Sequence, residues 1–175
     1  YKPIKVTNIG VIEAARIVRK HRLTEMFLVE KMGFGWENVH EIAEQLEHIQ
    51  SEDFFDKMDE ILSYPKIDPH GEPIPDKDGN IINQNYHKLS ECKTGEKVIL
   101  SSVTVSTDDF LNYLNQRDLS LGTKLEIISV EKFDGSFTVN FDNKKESLSK
   151  MVCENFWLPK NKKALKYIRA YYISY

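Results

Sequence analysis

Residues 39–49 carry the sequence VHEIAEQLEHI, in which two histidines and three glutamates are interspersed with aliphatic side chains. On an α-helix with 3.6 residues per turn, four of the polar residues fall within an arc of about 100°. These are His40, Glu44, Glu47 and His48. The aliphatic residues fall on the other side of the helix. The pattern therefore predicts a helix with one face in the core and one face that presents imidazoles and carboxylates.

The preceding stretch, residues 9–29, has apolar residues at helical spacing and no proline, so it predicts a longer helix. Asn8 is its expected N-cap, and Gly33 lies just beyond its end. This helix adds His21 and Glu25, which are four positions apart and therefore share a face. Two such faces in apposition would gather carboxylates that repel one another, and a divalent cation removes that repulsion. We therefore predict a metal site rather than a solvated face with incidental histidines.

The candidate ligands are nitrogen and oxygen donors only, which favours Mn²⁺ or Fe²⁺ over a thiolate zinc site. The two cysteines, Cys92 and Cys153, lack the CxxC spacing, and we predict that both are small buried residues. A di-metal carboxylate enzyme of the ferritin or oxidase type is the main alternative, because such enzymes also pair helices that bear Glu and His. A passive metal-storage or interaction module is a third class.

A third helix is predicted to begin at Ser51, whose hydroxyl can cap the helix, and to end before Pro65. Its apolar stripe is a candidate dimer contact, with ordinary core as the open alternative. The stripe consists of Phe54, Phe55, Met58, Ile61 and Leu62. Residues 1–64 are thus predicted to form a helical domain. Residues 65–88, rich in proline and glycine, are predicted to form a linker without regular structure.

Residues 89–158 are predicted to form a small β-barrel, because several short β-branched stretches are separated by turn signals. The clearest is a hairpin in which residues 124–130 and 136–141 flank an Asp-Gly turn. Residues 106–116 between strands are predicted to form a short helix. The fold class is therefore α+β. The tail, residues 159–175, is predicted to carry a surface helix, with Leu165, Ile168 and Tyr172 on one side.

Composition excludes several classes of protein. With 29% charged and 41% hydrophobic residues in 175, global disorder is not expected. No apolar run reaches membrane-spanning length, and no signal peptide begins the chain, so an intracellular compartment is the default. Residues 1–87 hold 10 basic and 16 acidic side chains, a balance suited to attracting cations. No strongly basic domain argues for a nucleic-acid partner.

Three motifs together resemble the diphtheria toxin repressor family of metal-dependent transcriptional regulators. They are residues 19–25 (RKHRLxE), 39–48 (VHExAxxxEH) and 71–75 (GxPIP). The similarity runs over residues 7–158. It implies an N-terminal winged helix–turn–helix, a helical dimerisation domain with two metal sites, and a C-terminal SH3-like (FeoA-like) domain. In this family, metal binding promotes a DNA-binding dimer that represses metal-uptake genes.

The resemblance assigns His21, Glu25 and His40 to the ancillary metal site of the family. The SH3-like domain of some members adds two ligands to this site, at positions that match Ser106 and Asp109. Asp109 is the stronger candidate, because a serine hydroxyl is a weak ligand. Both residues also have the spacing of a helix capping box, which is the alternative explanation.

By the same resemblance, Glu44, Glu47 and His48 match the primary, regulatory site. Iron-responsive members place cysteine at the position of Glu44, whereas manganese-responsive members place glutamate there, so the resemblance favours Mn²⁺. Arg22 matches an arginine that binds an anion in some members. Because Asp68 and Glu72 stand near it where uncharged residues are usual, we expect no anion, and we expect Glu72 to approach the metal or Arg22.

The resemblance therefore predicts a cytoplasmic, Mn²⁺- or Fe²⁺-dependent repressor that acts as a homodimer, with no membrane partner. Residues 1–7 match the end of the wing. We accordingly expect a fragment without the recognition helix and without the first-helix ligands of the primary site. Operator DNA would be read through that missing N-terminal domain.

Overall fold

Three helices make up the first of two units into which the chain divides, residues 1–83 and 84–175. The computed structural model describes residues 5–82 and 84–160. Helix α1 spans Asn8–Met32, α2 spans His40–Leu46 and α3 spans Glu52–Ile61. Within the described residues, no helix is long and apolar enough to cross a membrane.

Local hydrogen bonds explain where these helices begin and end. Thr7 rather than Asn8 caps α1, since its hydroxyl accepts from the Gly10 amide at 3.1 Å. Gly33 ends α1 in the left-handed region at φ 74°. Ser51 caps α3 as predicted, accepting from the Phe54 amide at 3.3 Å.

Helix α2 is shorter than the pattern predicts. Its last helical residue is Leu46, and Glu47 is the C-cap. The Ile49 amide then donates to the Leu46 carbonyl at 3.0 Å, an i→i+3 bond that tightens the backbone and ends the helix. His48 consequently lies in a turn rather than on the helix face.

The core of the first unit lies where α1 faces α2 and α3. It contains Leu23, Met26, Leu28, Val39, Ala43, Phe55 and Met58. The predicted stripe of α3 is divided: Phe55, Met58 and Leu62 are buried within the chain. Phe54 and Ile61 remain 42% and 45% exposed. Those two side chains are the part of the stripe left for a dimer contact.

The segment that follows α3 is packed into the first unit, which differs from the predicted linker. Residues 65–82 contain no helix or strand beyond an isolated bridge between Ile67 and Pro73. Ile67 and Ile74 are nevertheless 1% and 4% exposed. Arg19 anchors the segment to α1 by donating to the Pro75 carbonyl at 2.9 Å. Proline content correctly indicates the absence of regular structure, but burial makes this segment part of the core.

The second unit contains two antiparallel sheets. Its strands are β1 (Tyr86–Lys88), β2 (Lys97–Ile99), β3 (Ser102–Val103), β4 (Lys124–Val130), β5 (Phe137–Phe141), β6 (Lys144–Leu148) and β7 (Phe156–Pro159). One sheet has the order β1-β7-β3, and the other has the order β2-β4-β5-β6. The α+β class is therefore confirmed. The strand β1 falls within the C-terminal end of the predicted linker.

The predicted hairpin is present as β4 and β5, with Gly135 in its turn at φ 70°. Successive residues of β5 alternate between buried and half-buried, and the buried side chains form part of this unit's core. Cys92 and Cys153 are both free and buried, as predicted. Burial raises the pKa of each thiol to about 12.

Two helices of more than one turn lie between the strands, α4 (Asp108–Asn115) and α5 (Lys150–Glu154). The N-cap of α4 is Thr107, which shifts the start by one residue from the predicted capping box. The helix predicted in the tail lies outside the described residues.

Candidate metal centre

Three predicted ligands meet at the place where α1 and α2 face each other. The Nε2 atom of His21 lies 3.1 Å from Glu25 Oε1 and 3.2 Å from His40 Nδ1. The third side of this triangle, from His40 Nδ1 to Glu25 Oε1, is 3.4 Å. Helical spacing in α1 places His21 above Glu25, and the first residue of α2 supplies His40.

These separations can be tested against the geometry of a bound ion. Two ligand atoms that bind one divalent cation at about 2.1 Å, with angles of about 90° to 110°, lie about 3.0 to 3.4 Å apart. The distances among His21, Glu25 and His40 are 3.1, 3.2 and 3.4 Å. The three donors therefore fit one face of the coordination shell of a single divalent ion.

The ionisable side chains of this cluster shift one another's pKa values. Burial alone raises the pKa of Glu25, but hydrogen bonds to His21 and His70 outweigh it and lower the pKa to about 2. Burial likewise lowers the pKa of His21, but the Glu25 and Glu47 carboxylates overcome that effect and raise it above 6.5. The low pKa keeps the Glu25 carboxylate ionised, and protons compete with a divalent ion for the histidine nitrogens.

The structure adds a second group of donors that the sequence analysis did not include. Glu25, Asp68 and His70 can each offer one ligand atom within 4.8 Å of the others, and all three residues are buried. The Nδ1 atom of His70 lies 3.6 Å from Glu25 Oε2. Glu25 therefore turns one oxygen to His21 and His40 and the other to His70.

The orientation of His70 is set by its neighbours. Its Nε2 atom donates to the Trp36 carbonyl at 2.9 Å, which leaves Nδ1 directed at Glu25. Burial raises the pKa of Asp68 to about 6, since nearby Glu25 adds to the rise while His70 and Arg22 only partly oppose it. Burial lowers the pKa of His70, but Glu25 and Asp68 overcome it and the net pKa is raised.

The sequence did carry a signal for this second group. Asp68, His70 and Glu72 alternate along residues 68–72, inside the segment predicted to be a linker. The resemblance placed Asp68 and Glu72 near Arg22, but no residue pattern indicated that His70 reaches Glu25.

The predicted primary ligands are not gathered in the same way. In the part of the chain that the structure describes, Glu44, Glu47 and His48 do not form a group of three adjacent donors. Glu44 is exposed, and the His48 side chain is 72% exposed. Glu47 instead places Oε2 2.7 Å from His21 Nδ1, with Oε1 3.9 Å from His48 Nε2. Glu47 keeps a helical backbone position, since its amide donates to the Ala43 carbonyl at 2.9 Å, and His48 follows it in the turn. Ligation by this set stays a prediction.

Asp109 lies in the first turn of α4, in the second unit, and Ser106 precedes that helix by two residues. Metal ligation by Asp109 also stays a prediction.

The guanidinium of Arg22 is occupied by acceptors from the chain itself. It donates to the Pro73 carbonyl and to the Glu72 carboxylate, and its Nε lies 3.4 Å from Asp68 Oδ2. Glu72 therefore approaches Arg22, which was one of the two expected positions. Internal carboxylates stand where a bound anion would have to lie.

Comparison with known proteins identifies relatives of both units. Residues 7–76 match the family model described as iron dependent repressor, metal binding and dimerisation domain. Residues 87–157 match the FeoA domain. A solved structure described as a manganese-dependent transcriptional repressor in complex with manganese superposes with a TM-score of 0.82 at 30% identity, covering 89% of this chain and 74% of that one.

The chain belongs to the iron-dependent, or diphtheria toxin, repressor family. The chain is 30% identical over 122 residues to the iron-dependent repressor IdeR of Mycobacterium leprae. The match covers 65% of this chain and 53% of IdeR, so the chain spans about half of that relative. The structure of the manganese regulator SloR superposes with a TM-score of 0.78 at 31% identity, covering 89% of this chain and 72% of SloR.

These relatives are named as repressors or, for SloR, as a regulator, so the alternative of a ferritin- or oxidase-type enzyme finds no support in them. The first unit matches the helical dimerisation domain that the resemblance implied, and the second unit matches the SH3-like (FeoA-like) domain.

Proposed function

We propose that this chain is the metal-sensing and dimerisation part of a Mn²⁺- or Fe²⁺-dependent transcriptional repressor that controls metal-uptake genes. The observation that carries the proposal is the triangle formed by His21 Nε2, Glu25 Oε1 and His40 Nδ1, with sides of 3.1 to 3.4 Å. Family membership supplies the regulatory context in which such a site acts.

In this function the metal supplies positive charge rather than chemistry on a substrate. Glu25 and His21 would hold the ion from α1, and His40 would hold it from the start of α2. The ion would fix α2 relative to α1. The metal would therefore bind more tightly to the conformation in which α2 is fixed. This difference in affinity between two conformations is what a two-state switch requires.

Donor chemistry favours Mn²⁺ or Fe²⁺, because His and carboxylate ligands suit these ions and no thiolate is present in the cluster. Glutamate at position 44, where iron-responsive members have cysteine, supports Mn²⁺. Asp68 and His70 are proposed as additional ligands, because they lie beside the second oxygen of Glu25. Asp109 stays a proposed ligand from the FeoA unit.

We further propose that the parent protein acts in the cytoplasm as a homodimer and binds operator DNA through a winged-helix domain. The family model for residues 7–76 describes a dimerisation domain, which supports this assembly. Phe54 and Ile61, which are exposed on α3, would contribute to the contact between subunits.

Sedimentation analysis with and without Mn²⁺ tests the proposal. The chain should bind Mn²⁺ and shift toward a dimer, and Phe54→Ser plus Ile61→Ser should weaken the dimer while leaving Mn²⁺ binding intact. Metal binding that changes neither assembly nor conformation would support the passive storage module instead. Oxygen- or peroxide-dependent turnover by the Fe²⁺-loaded chain would support the enzyme.

A further inference from the structure

Glu47 makes the shortest contact of any predicted ligand with another. Its Oε2 atom lies 2.7 Å from His21 Nδ1, and the two side chains are only 14% and 17% exposed. Resemblance assigns Glu47 to the primary site, whereas this contact attaches it to a ligand of the other site. It therefore has a position that neither assignment by itself describes.

The contact determines which nitrogen of His21 is free to bind metal. A carboxylate only accepts hydrogen bonds, so His21 Nδ1 must carry the proton that joins it to Glu47. In the neutral imidazole, Nε2 then has the lone pair, and Nε2 is the atom that points at Glu25 and His40. A carboxylate behind a ligating histidine also raises the basicity of the ligand atom.

We propose that Glu47 is the positioning residue of the site formed by His21, Glu25 and His40, and that it links this site to the predicted regulatory set. The inference rests on the proposed function, because it assumes that those three residues bind the metal. Oε2 of Glu47 holds His21 in the metal-binding tautomer. Oε1 is left on the side of His48, at 3.9 Å from its Nε2.

This arrangement makes occupancy of one site felt at the other. Metal bound at His21 Nε2 strengthens the bond from Nδ1–H to Glu47, since the proton becomes more acidic when the ring is coordinated. The bond fixes the Glu47 carboxylate, so its second oxygen is already oriented when a metal reaches His48. Coupling then passes through one imidazole and one carboxylate.

The test measures Mn²⁺ affinity, from the EPR signal of free Mn²⁺, for the 175-residue chain and two alanine variants. Glu47→Ala should weaken binding by about 10- to 100-fold, the usual effect of losing such a partner. Glu41→Ala is the matched control, because it removes a glutamate side chain that lies on the same helix, is exposed, and belongs to neither ligand set. It should leave the affinity unchanged. Glu47→Gln keeps an acceptor oxygen and should lie between the two.

A second measurement separates positioning from a general structural effect. Nitrogen-15 NMR of the metal-free chain at about pH 9, where imidazoles are neutral, reports which His21 nitrogen carries the proton. It should be Nδ1 in the wild type and in Glu41→Ala, and Glu47→Ala should shift the population toward Nε2–H. Glu47→Leu, which has no acceptor oxygen, provides the same readout if the alanine variant does not fold.

Wild-type affinity in Glu47→Ala, or an unchanged His21 tautomer in that variant, would overturn the inference. If the wild-type chain binds no Mn²⁺, the proposed function fails, and the tautomer measurement still decides whether Glu47 orients His21.

Discussion

Replacement of Glu25 by glutamine removes the one carboxylate that both donor groups share. Its Oε1 lies 3.1 Å from His21 and its Oε2 lies 3.6 Å from His70, and the residue is 3% exposed. No other described carboxylate belongs to both groups. We therefore expect Glu25→Gln to abolish most of the metal-dependent stability while keeping nearly the same side-chain volume.

The size of the effect follows from linkage. A ligand at a hundred times its Kd stabilises the native state by about 2.7 kcal/mol. For a helical unit of this size, that corresponds to a rise in Tm of about 10 to 20 °C. If the substitution weakens binding about 100-fold, the same Mn²⁺ concentration equals the new Kd and stabilises by only about 0.4 kcal/mol. The rise in Tm should then be about 2 to 3 °C.

The assay is differential scanning calorimetry of each variant in chelator and in Mn²⁺, and the quantity compared is the Mn²⁺-dependent change in Tm. Because Glu25→Gln also alters the metal-free protein, its baseline Tm is not the readout. Glu41→Gln serves as the matched control and should show the full rise. A wild-type melting curve that does not respond to millimolar Mn²⁺, or an undiminished response in Glu25→Gln, would refute the reasoning.

Three further results are expected. Mn²⁺ affinity should fall as pH falls, with the decline beginning above pH 6.5, because the raised pKa values of His21 and His70 mean that protons compete earlier; titrations at several pH values measure this. Calorimetric titration should give one clear Mn²⁺ site per chain and a weaker or absent second one, since Glu44 and His48 are exposed and not gathered; two equally tight sites would contradict the ligand grouping. Iodoacetamide should label Cys92 and Cys153 slowly in the native chain and rapidly in urea, because burial raises both thiol pKa values to about 12; rapid native labelling would show that the FeoA unit opens readily.

The part of the site that could be predicted depends on local geometry. His21 and Glu25 are four residues apart on one helix, so periodicity alone places them together. His40 joined them through the pattern of residues 39–49, whose core residues Val39 and Ala43 are buried as an amphipathic helix requires. The hairpin of β4 and β5 was equally local, since the Asp-Gly turn and the flanking alternation define it.

The rest of the site depended on tertiary packing that periodicity does not encode. His70 is remote from Glu25 in sequence and sits in a proline-rich segment with no repeat to follow. Its position is set by burial of Ile67 and Ile74 and by its bond to the Trp36 carbonyl. Glu47 keeps a helical backbone position, with its amide donating to the Ala43 carbonyl at 2.9 Å, but its contact with His21 depends on how α1 packs against α2.

Because the second oxygen of Glu25 faces His70, a bound metal could form a reversible cross-link between α1 and the segment after α3. An ion held by Glu25 and His70 would close a loop of about 45 residues that contains α2, α3 and the start of the proline-rich segment. In the chain-entropy model, a cross-link that closes such a loop removes about 13 cal/mol/K from the unfolded ensemble, or about 4 kcal/mol at room temperature. The chain's two cysteines are free, so it has no permanent tether of this kind. The availability of metal would then determine whether the unfolded chain carries this cross-link.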